Sequence, residues 1–476
     1  MGSRQIAGGR STSWLPSIEK QNIYFTAFAT SAVAWVGSLL TVLVVLSILW
    51  ATVSLPQRHF AFNIERHQVP FVTMATIFAV LGFAMVRFHA GKPIGIDGLE
   101  YLVFLAPLLL LARFQVGPSK EDFRAIVKQG LAAAGILAGA VAACQFLYWG
   151  ARAEGAAGNP LAFATVSTLA GLGAMILLIE PDRRHDRLLG MFGWTGAVIA
   201  VTLSQSRTMI VVLLSCSFLF AALSWRELLR GYSRSFLILL ASVAIIASGS
   251  AASVVVDRMS ADVPVAETEQ VAPTSAGWRG IYLEAGWRVA SKSLLFGVGR
   301  SERAHLVGLE LEAMGFPTKL EDEITYTSWH RFLPEFARPA VVNWQLKRWE
   351  RQRSSVQSGG GPSENPPAAP NIAATSKERI SSPHSHLHNA YMTMLVDHGV
   401  VGLTSLLTIL SGPIIVALWM GLHRSDPVFL KFYVAMVLAL SLAGATNVHI
   451  ENDIIASYFV VLSVLFWRVV RTQPQA

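Results

Sequence analysis

The fold is decided by uncharged apolar stretches, and the clearest of them, residues 400–422, reads VVGLTSLLTILSGPIIVALWMGL. A helix needs about 20 apolar residues to cross the hydrocarbon core of a bilayer, and this stretch is long enough. Similar stretches recur along the chain, at 24–53, 71–88, 99–114, 131–149, 161–179, 189–203, 209–225, 236–255, 428–448 and 454–467. The pattern predicts an all-α polytopic transmembrane protein.

Composition supports a membrane protein and argues against several other classes. Of the 476 residues, 53% are hydrophobic and 14% are charged, which is far more apolar than a soluble protein of this length. The net charge of +8 is typical of Lys and Arg in cytoplasmic loops, and we expect no nucleic-acid partner. Cys144 and Cys216 lie inside apolar stretches, which predicts packing residues rather than a disulfide framework or a metal site.

The basic residues predict the orientation of the helices. Links rich in Lys and Arg should face the cytoplasm, and these are residues 113–128, 182–187 and 226–234. Alternation then puts the less basic links on the outer face, at residues 151–158, 204–208 and 449–453. The long hydrophilic segment at 256–387 falls on this outer face as well.

The number of helices depends on the first apolar stretch. One pass through residues 24–53 would put the basic tail at 1–23 outside, whereas two short passes hinged near Trp35 and Gly37 keep it in the cytoplasm. We expect about twelve helices with both termini inside, and eleven remains open. The predicted organisation is a tail at 1–23, transmembrane helices at 24–255, an outer loop at 256–387, a His-Asn motif with the last transmembrane helices at 388–468, and a tail at 469–476.

The large outer loop divides into two parts by composition. Residues 276–353 mix Trp, Leu and charged residues at spacings compatible with amphipathic helices, so we expect a folded cap or an interfacial helix. Residues 354–382 are rich in Ser, Gly and Pro, and they predict a disordered linker that returns the chain to the membrane.

A titratable cluster, Ser385-His386-Leu387-His388-Asn389, stands where the outer loop meets the membrane. The reference pKa of His, about 6.5, suits a general base, although a single loop histidine is more often only solvated. A charge at mid-bilayer costs about 3 kcal/mol, so Arg207, alone between apolar stretches, should lie at a helix end or face a polar cavity. Together with Arg279 in the outer loop, these groups favour a site for an anionic leaving group.

The neighbouring residues give weaker signals. The alternation of His384, His386 and His388 is seen in some metal sites, but the flanking Ser, Pro and Asn favour a loop, and we expect no metal. Asn389 is predicted either to orient the His388 ring or to cap a helix that begins near residue 390. Further supporting candidates are His386, Arg288, Arg300, Asp397 and His398.

The motif His388-Asn389, then nine residues, Gly399, two residues and Gly402, resembles a signature of the O-antigen ligase and O-antigen polymerase family. Two further features are similar to other signatures of that family. One is Arg279-x-x-x-Leu283, followed by Gly297-Val298-Gly299, and the other is the turn at 204–207. The resemblance extends over much of the chain from about residue 158 to residue 467.

The resemblance implies an inverting glycosyltransferase that uses no metal or other cofactor and lies in the bacterial inner membrane, with its active site on the periplasmic side. It implies transfer of a glycan from undecaprenyl diphosphate to an acceptor hydroxyl. By this resemblance, Arg207 and Arg279 bind the diphosphate and His388 is the base.

The acceptor stays open at this point. A ligase that joins the glycan to lipid A-core is preferred to a polymerase acting on a growing glycan, because the His-Asn spacing fits it closely. A protein O-oligosaccharyltransferase would differ only in its acceptor. A polysaccharide transporter is less favoured, because transporters tend to carry charges at mid-bilayer, whereas here the charges cluster at the outer boundary among the membrane lipids.

Overall fold

The computed structural model describes residues 18–31, 41–42, 44–46, 49, 64–90, 98–115, 118–149, 152–231, 249, 275–316, 319–320, 380–381, 387–446 and 452–471. The regular structure in these ranges is helical except for one pair of two-residue strands. The helices are α1 (Ile18–Ser31), α2 (Val69–Ala90), α3 (Ala106–Phe114), α4 (Lys120–Trp149), α5 (Pro160–Ile179), α6 (Arg184–Leu203), α7 (Arg207–Leu223), α8 (Trp225–Gly231), α9 (Ser275–Lys292), α10 (Arg300–Ala313), α11 (Ala390–Trp419), α12 (Leu422–Ser425), α13 (Pro427–Gly444) and α14 (Asp453–Val469). The strands are β1 (Lys319–Leu320) and β2 (Ile380–Ser381).

Long apolar helices support the predicted membrane architecture. In the described part of the chain, five helices are long and apolar enough to cross a bilayer, and they are α2, α4, α5, α11 and α13. The helices α7 and α14 are apolar but shorter. The predicted spans at 24–53 and 236–255 lie largely outside the described residues, so the total of about twelve, and the choice between eleven and twelve, stays a prediction.

The predicted span at 99–114 is wrong as a single α-helix. Its first part, Leu99–Leu105, is a 3₁₀ helix, and α3 begins only after it, with Pro107 in the first turn. Proline has no backbone N–H to donate, and its ring clashes with the preceding turn of an α-helix. An α-helix is therefore favoured to start at this proline, where the missing N–H costs nothing.

The helices α4 and α6 approach closely because glycines line their contact. A Cβ added at Gly135 would lie 2.1 Å from the carbonyl oxygen of Gly193, and one added at Gly139 would lie 2.7 Å from the Cα of Gly196. Neither position leaves room for a side chain. Such small-residue contacts are typical of helices that associate within a bilayer.

Ion pairs gather the three basic links at one end of the bundle, called here the basic end. The pairs are Lys128 with Asp182 at 2.9 Å, Arg124 with Asp426, and Lys431 with Glu227 at 2.8 Å. The links at 152–159 and 204–206 meet at the opposite end, where Arg152 Nε donates to the carbonyl of Ser204 at 3.0 Å. The two sets of links that the basic residues distinguish thus lie at the two ends of the helices.

Part of the segment predicted to be the outer loop forms a helical hairpin, α9 followed by α10, that packs against the first residues of α11. This agrees with the helical part expected from residue 276 onward, as far as residue 316. Strands β1 and β2 pair antiparallel, with Leu320 opposite Ile380. Because β2 lies within the predicted linker at 354–382, the last part of that linker has regular structure, and the rest of it lies outside the described residues.

Candidate functional site

The backbone around His388 is fixed on both sides. Leu387 is buried among side chains of the α9–α10 hairpin, and Asn389 is the N-cap of α11, where its Oδ1 accepts from the N–H of Met392 at 2.8 Å. The capping role expected for Asn389 is therefore confirmed. His388 itself has φ 52°, a left-handed conformation that costs a non-glycine residue about 1 kcal/mol and is often found at functional sites.

Helix α9 presents an aromatic ring to His388. The ring centroids of Tyr282 and His388 are 6.2 Å apart, with the rings nearly perpendicular. Burial raises the pKa of Tyr282, so its hydroxyl stays protonated at neutral pH and does not compete as a base. Arg279 lies one helical turn before Tyr282 on the same helix and is exposed.

Arg207 is the first residue of α7, and Ser206 is its N-cap. The prediction that this arginine lies at a helix end is confirmed. A cation at a helix N-terminus meets the positive end of the helix dipole, which is unfavourable for the helix but strengthens the positive potential offered to an anion. The side chain is half-buried, so it has access to the surface.

Arg207 and His388 lie at the same end of the bundle. Helices α7 and α13 run antiparallel, because Phe220 near the end of α7 contacts Phe432 near the start of α13, with centroids 6.5 Å apart. The start of α7 is therefore near the end of α13. Asn389 Nδ2 donates to the carbonyl of Ala445, just after α13, at 2.8 Å. The Arg207 turn and the His388-Asn389 motif thus share the end opposite the basic end.

The supporting arginines are engaged in exposed ion pairs. Arg288 bonds Glu284 at 2.6 Å, and Arg300 bonds Glu100 at 2.6 Å. Arg300 starts α10, next to the connection at residues 293–299 that forms the closed end of the hairpin. It is roughly 20 Å from Arg279 along the helix axis. The structure therefore does not bring Arg300 together with the residues around His388. His386 lies outside the described residues.

A buried polar cluster beside residues 397 and 398 includes two residues, Arg303 and Tyr101, that the sequence did not indicate. Arg303 of α10 pairs with Asp397 of α11, and both side chains are buried. Tyr101 and His398 are joined by a 2.8 Å hydrogen bond between the phenol oxygen and Nε2, and both are buried as well. Asp397 and His398 were candidates from the sequence, but nothing in the local pattern around Arg303 or Tyr101 distinguishes them from other polar or aromatic residues.

Gly399 and Gly297, from the two glycine-containing motifs, lie on opposite sides of the contact between α11 and the closed end of the hairpin. Gly399 has φ 63°, and a Cβ there would lie 2.3 Å from the carbonyl carbon of Leu295. Gly297 has φ 73°, and a Cβ there would lie 2.5 Å from the carbonyl carbon of Asp397. Both positions require glycine because L side chains rarely adopt these angles. The closed end of the hairpin can therefore hydrogen-bond directly to the backbone of α11, as the N–H of Val298 does to the carbonyl of Val396 at 2.8 Å.

Metal ligands are not assembled in the described ranges: no group there with three or more His, Cys, Asp or Glu side chains is arranged to hold a metal ion. The groups at this end of the bundle are the imidazole of His388, the protonated phenol of Tyr282 and the guanidinium groups of Arg207 and Arg279. Such a set can accept a proton and stabilise an anion.

Comparison with known protein families agrees with the resemblance found in the sequence. Residues 191–331 match the model of a family described as O-antigen ligase. The matched residues include Arg207 and Arg279 and stop before His388. No curated protein matches the chain significantly.

Proposed function

We propose, because residues 191–331 match the model of a family described as O-antigen ligase, that this protein is a membrane glycosyltransferase that transfers a glycan from undecaprenyl diphosphate to an acceptor hydroxyl. The reaction takes place on the periplasmic face of the bacterial inner membrane. The acceptor in this proposal is lipid A-core, which makes the protein a ligase. The alternative within the same family, a polymerase that extends a growing glycan, uses the same donor and the same groups.

The proposal is supported by the location of three distant residues toward one end of the bundle. Arg207 on α7, Arg279 on α9 and His388 before α11 come from separate parts of the chain. The antiparallel packing of α7 and α13 and the bond from Asn389 to Ala445 support their common location. Two guanidinium groups and an imidazole are the groups that transfer from a diphosphate carrier requires.

The arginines act on the leaving group. As the bond between the anomeric carbon and the diphosphate oxygen breaks, negative charge develops on that oxygen. Arg207, placed at the positive end of α7, and the exposed Arg279 stabilise this charge through bidentate hydrogen bonds, and no paired carboxylates are needed because diphosphate is already a good leaving group.

His388 acts on the acceptor. Its imidazole takes the hydroxyl proton as the acceptor oxygen forms its bond to the anomeric carbon from the face opposite the diphosphate, which inverts the configuration. The left-handed backbone of His388 and the ring of Tyr282 hold the imidazole in one orientation. Tyr282 is thus a positioning residue for the base.

Purified protein with a synthetic polyprenyl-diphosphate glycan and an acceptor tests the reaction directly. His388→Ala should lower the rate by about 100-fold or more, since general-base catalysis contributes at least that much. His423→Ala is the matched control, because His423 is exposed on α12 near the basic end and should leave the rate unchanged. Addition of EDTA should have no effect. A wild-type rate for His388→Ala would overturn the assignment of the base.

Arginine variants test the diphosphate site in the same assay. Arg207→Ala and Arg279→Ala should weaken donor use strongly, and Arg207→Lys should restore it only in part, because lysine cannot form the bidentate contact. Arg230→Ala is the control, because Arg230 is exposed on α8 at the basic end. Equal activity for Arg207→Ala and Arg230→Ala would exclude the proposed role.

Envelope glycans of a deletion strain decide between ligase and polymerase. Loss of a ligase leaves long chains on the carrier lipid, whereas loss of a polymerase leaves single repeat units. Finding single repeats would replace the ligase by the polymerase, and finding neither change would remove both.

A further inference from the structure

An exposed apolar surface lies at the closed end of the α9–α10 hairpin. It consists of Leu294, Leu295 and Phe296, with Phe88 and Val400 beside them, and is called here the apolar tip. The side chains of Leu295 and Phe88 are 56% and 71% exposed. Three consecutive large apolar residues exposed at a turn are unfavourable in water and indicate a contact with another apolar phase.

The apolar tip is fixed to the ends of two membrane-spanning helices. The N–H of Val400 donates to the carbonyl of Leu294 at 2.8 Å, and His89, at the end of the α2 span, donates from Nε2 to the carbonyl of Phe296 at 2.9 Å. The rings of Phe88 and Phe296 are 6.4 Å apart. The tip therefore stands at the level where α2 ends.

The length of α11 points to the same level. Its helix is interrupted at Gly399, and the uninterrupted part from Val400 to Trp419 is about 30 Å long, which is the thickness of the hydrocarbon core. The α2 span of 21 residues is of similar length. The two helices run antiparallel, because Met74 near the start of α2 lies against Gly412 of α11 while the end of α2 meets residues 296–299. The lengths of both helices thus fit a boundary of the hydrocarbon core at the level of the apolar tip.

We propose that the apolar tip inserts into the acyl chains of the bilayer leaflet on the side of the membrane where His388 lies. The tip anchors the hairpin to the lipid and so sets the position of α9, with Arg279 and Tyr282, relative to the membrane surface. Trp287, also exposed, lies two turns earlier on α9, within reach of the headgroup region that tryptophan favours. This proposal holds whichever reaction the protein catalyses.

Spin labels measure the depth of the tip in the full-length protein reconstituted in phospholipid nanodiscs. The native cysteines are replaced by Cys144→Ser and Cys216→Ala, and a single cysteine is introduced by Leu295→Cys. The matched control is Leu309→Cys, because Leu309 is also exposed, at 40%, but lies on α10 away from the tip. Collision rates of the nitroxide with oxygen and with a water-soluble nickel chelate report whether it is in lipid or in water.

The nitroxide at residue 295 should collide several-fold more with oxygen, relative to the nickel chelate, than the nitroxide at residue 309. Equal nickel access at both positions would show that the tip is in water and overturn the proposal. Protection of residue 295 from both reagents would show that protein covers the tip, which also overturns it. If Leu295→Cys does not fold, the same two collision rates are measured for a nitroxide at the neighbouring position, introduced by Leu294→Cys.

Discussion

Removing the carboxylate of Asp397 should release the α9–α10 hairpin from the membrane helices. Asp397 and Arg303 form an ion pair in which the two side chains are 0% and 4% exposed. Asp397→Asn keeps the volume of the side chain but removes the carboxylate that pairs with the buried guanidinium of Arg303. Loss of one partner of a buried pair costs about 3–5 kcal/mol. Since about 1.4 kcal/mol is a factor of ten, the hairpin should open roughly a hundredfold more often, or more.

Amide hydrogen exchange of the full-length protein in detergent measures this opening by segment. Peptides from residues 275–316 should exchange much faster in Asp397→Asn, whereas peptides from α4 and α6 should not change. The matched control is Glu284→Gln, which breaks the exposed pair of Arg288 and Glu284 in the same hairpin. That pair has side chains 47% and 55% exposed, so its loss should cost less than about 1 kcal/mol.

A second variant separates the loss of the pair from a general loss of packing. Arg303→Met combined with Asp397→Leu replaces both charges by apolar groups of similar size, which is often neutral or stabilising, and it should return slow exchange to residues 275–316. The reasoning is refuted if Asp397→Asn exchanges as slowly as Glu284→Gln, because the buried pair would then not hold the hairpin.

Three further variants test local features of the fold. Gly399→Ala should lower the free energy of unfolding by more than about 2 kcal/mol, because its Cβ collides with backbone at a positive φ. Its control is Gly421→Ala, which has a similar φ but open space around it and should cost about 1 kcal/mol. Equal losses of the two variants in a denaturant titration would contradict this expectation. Asn389→Ala should lose about 1 kcal/mol of stability, because it removes the cap of α11, and it should also lose transfer activity. Asn452→Ala removes the cap of α14 and should lose similar stability but keep activity. Loss of activity in both variants would show that loss of stability, not of Asn389 itself, is the cause. Burial lowers the pKa of His67 in the folded protein, so the unfolded chain binds the proton more strongly. The free energy of unfolding should therefore fall as the pH drops below about 6.5, and His67→Gln should make this fall shallower. An unchanged pH dependence in His67→Gln would show that His67 is not its source.

Features that depend on a short stretch of sequence, such as spanning helices and helix caps, could be predicted from the sequence. The apolar stretches predict spanning helices because a bilayer sets their length, and a lone arginine between such stretches must find a helix end, as Arg207 does. Asn389 could be predicted as a cap because its amide oxygen suits the unpaired N–H groups at the start of a helix. Pro107 also marks where α3 begins within the predicted span at 99–114, because proline is favoured in the first turn of an α-helix.

Contacts between distant segments were beyond the sequence pattern. The spacing from Asn389 to Gly399 is visible in the chain, but the backbone that makes glycine necessary at 399 belongs to Leu295. Arg303 has the pattern of a surface residue on an amphipathic helix, and it is buried only because Asp397 meets it across the hairpin contact. Periodicity reports which face of a helix is apolar, not which helix will cover it.

The antiparallel pairing of β1 and β2 has a practical consequence for engineering. Residues 320 and 380 are held side by side, roughly 5 Å apart as in any paired strands, so the described chain ends at neighbouring points on either side of residues 321–379. Any chain that joins these two strands has to span only this short distance. A short turn placed directly between residues 320 and 380 could bridge it while both strands keep their pairing.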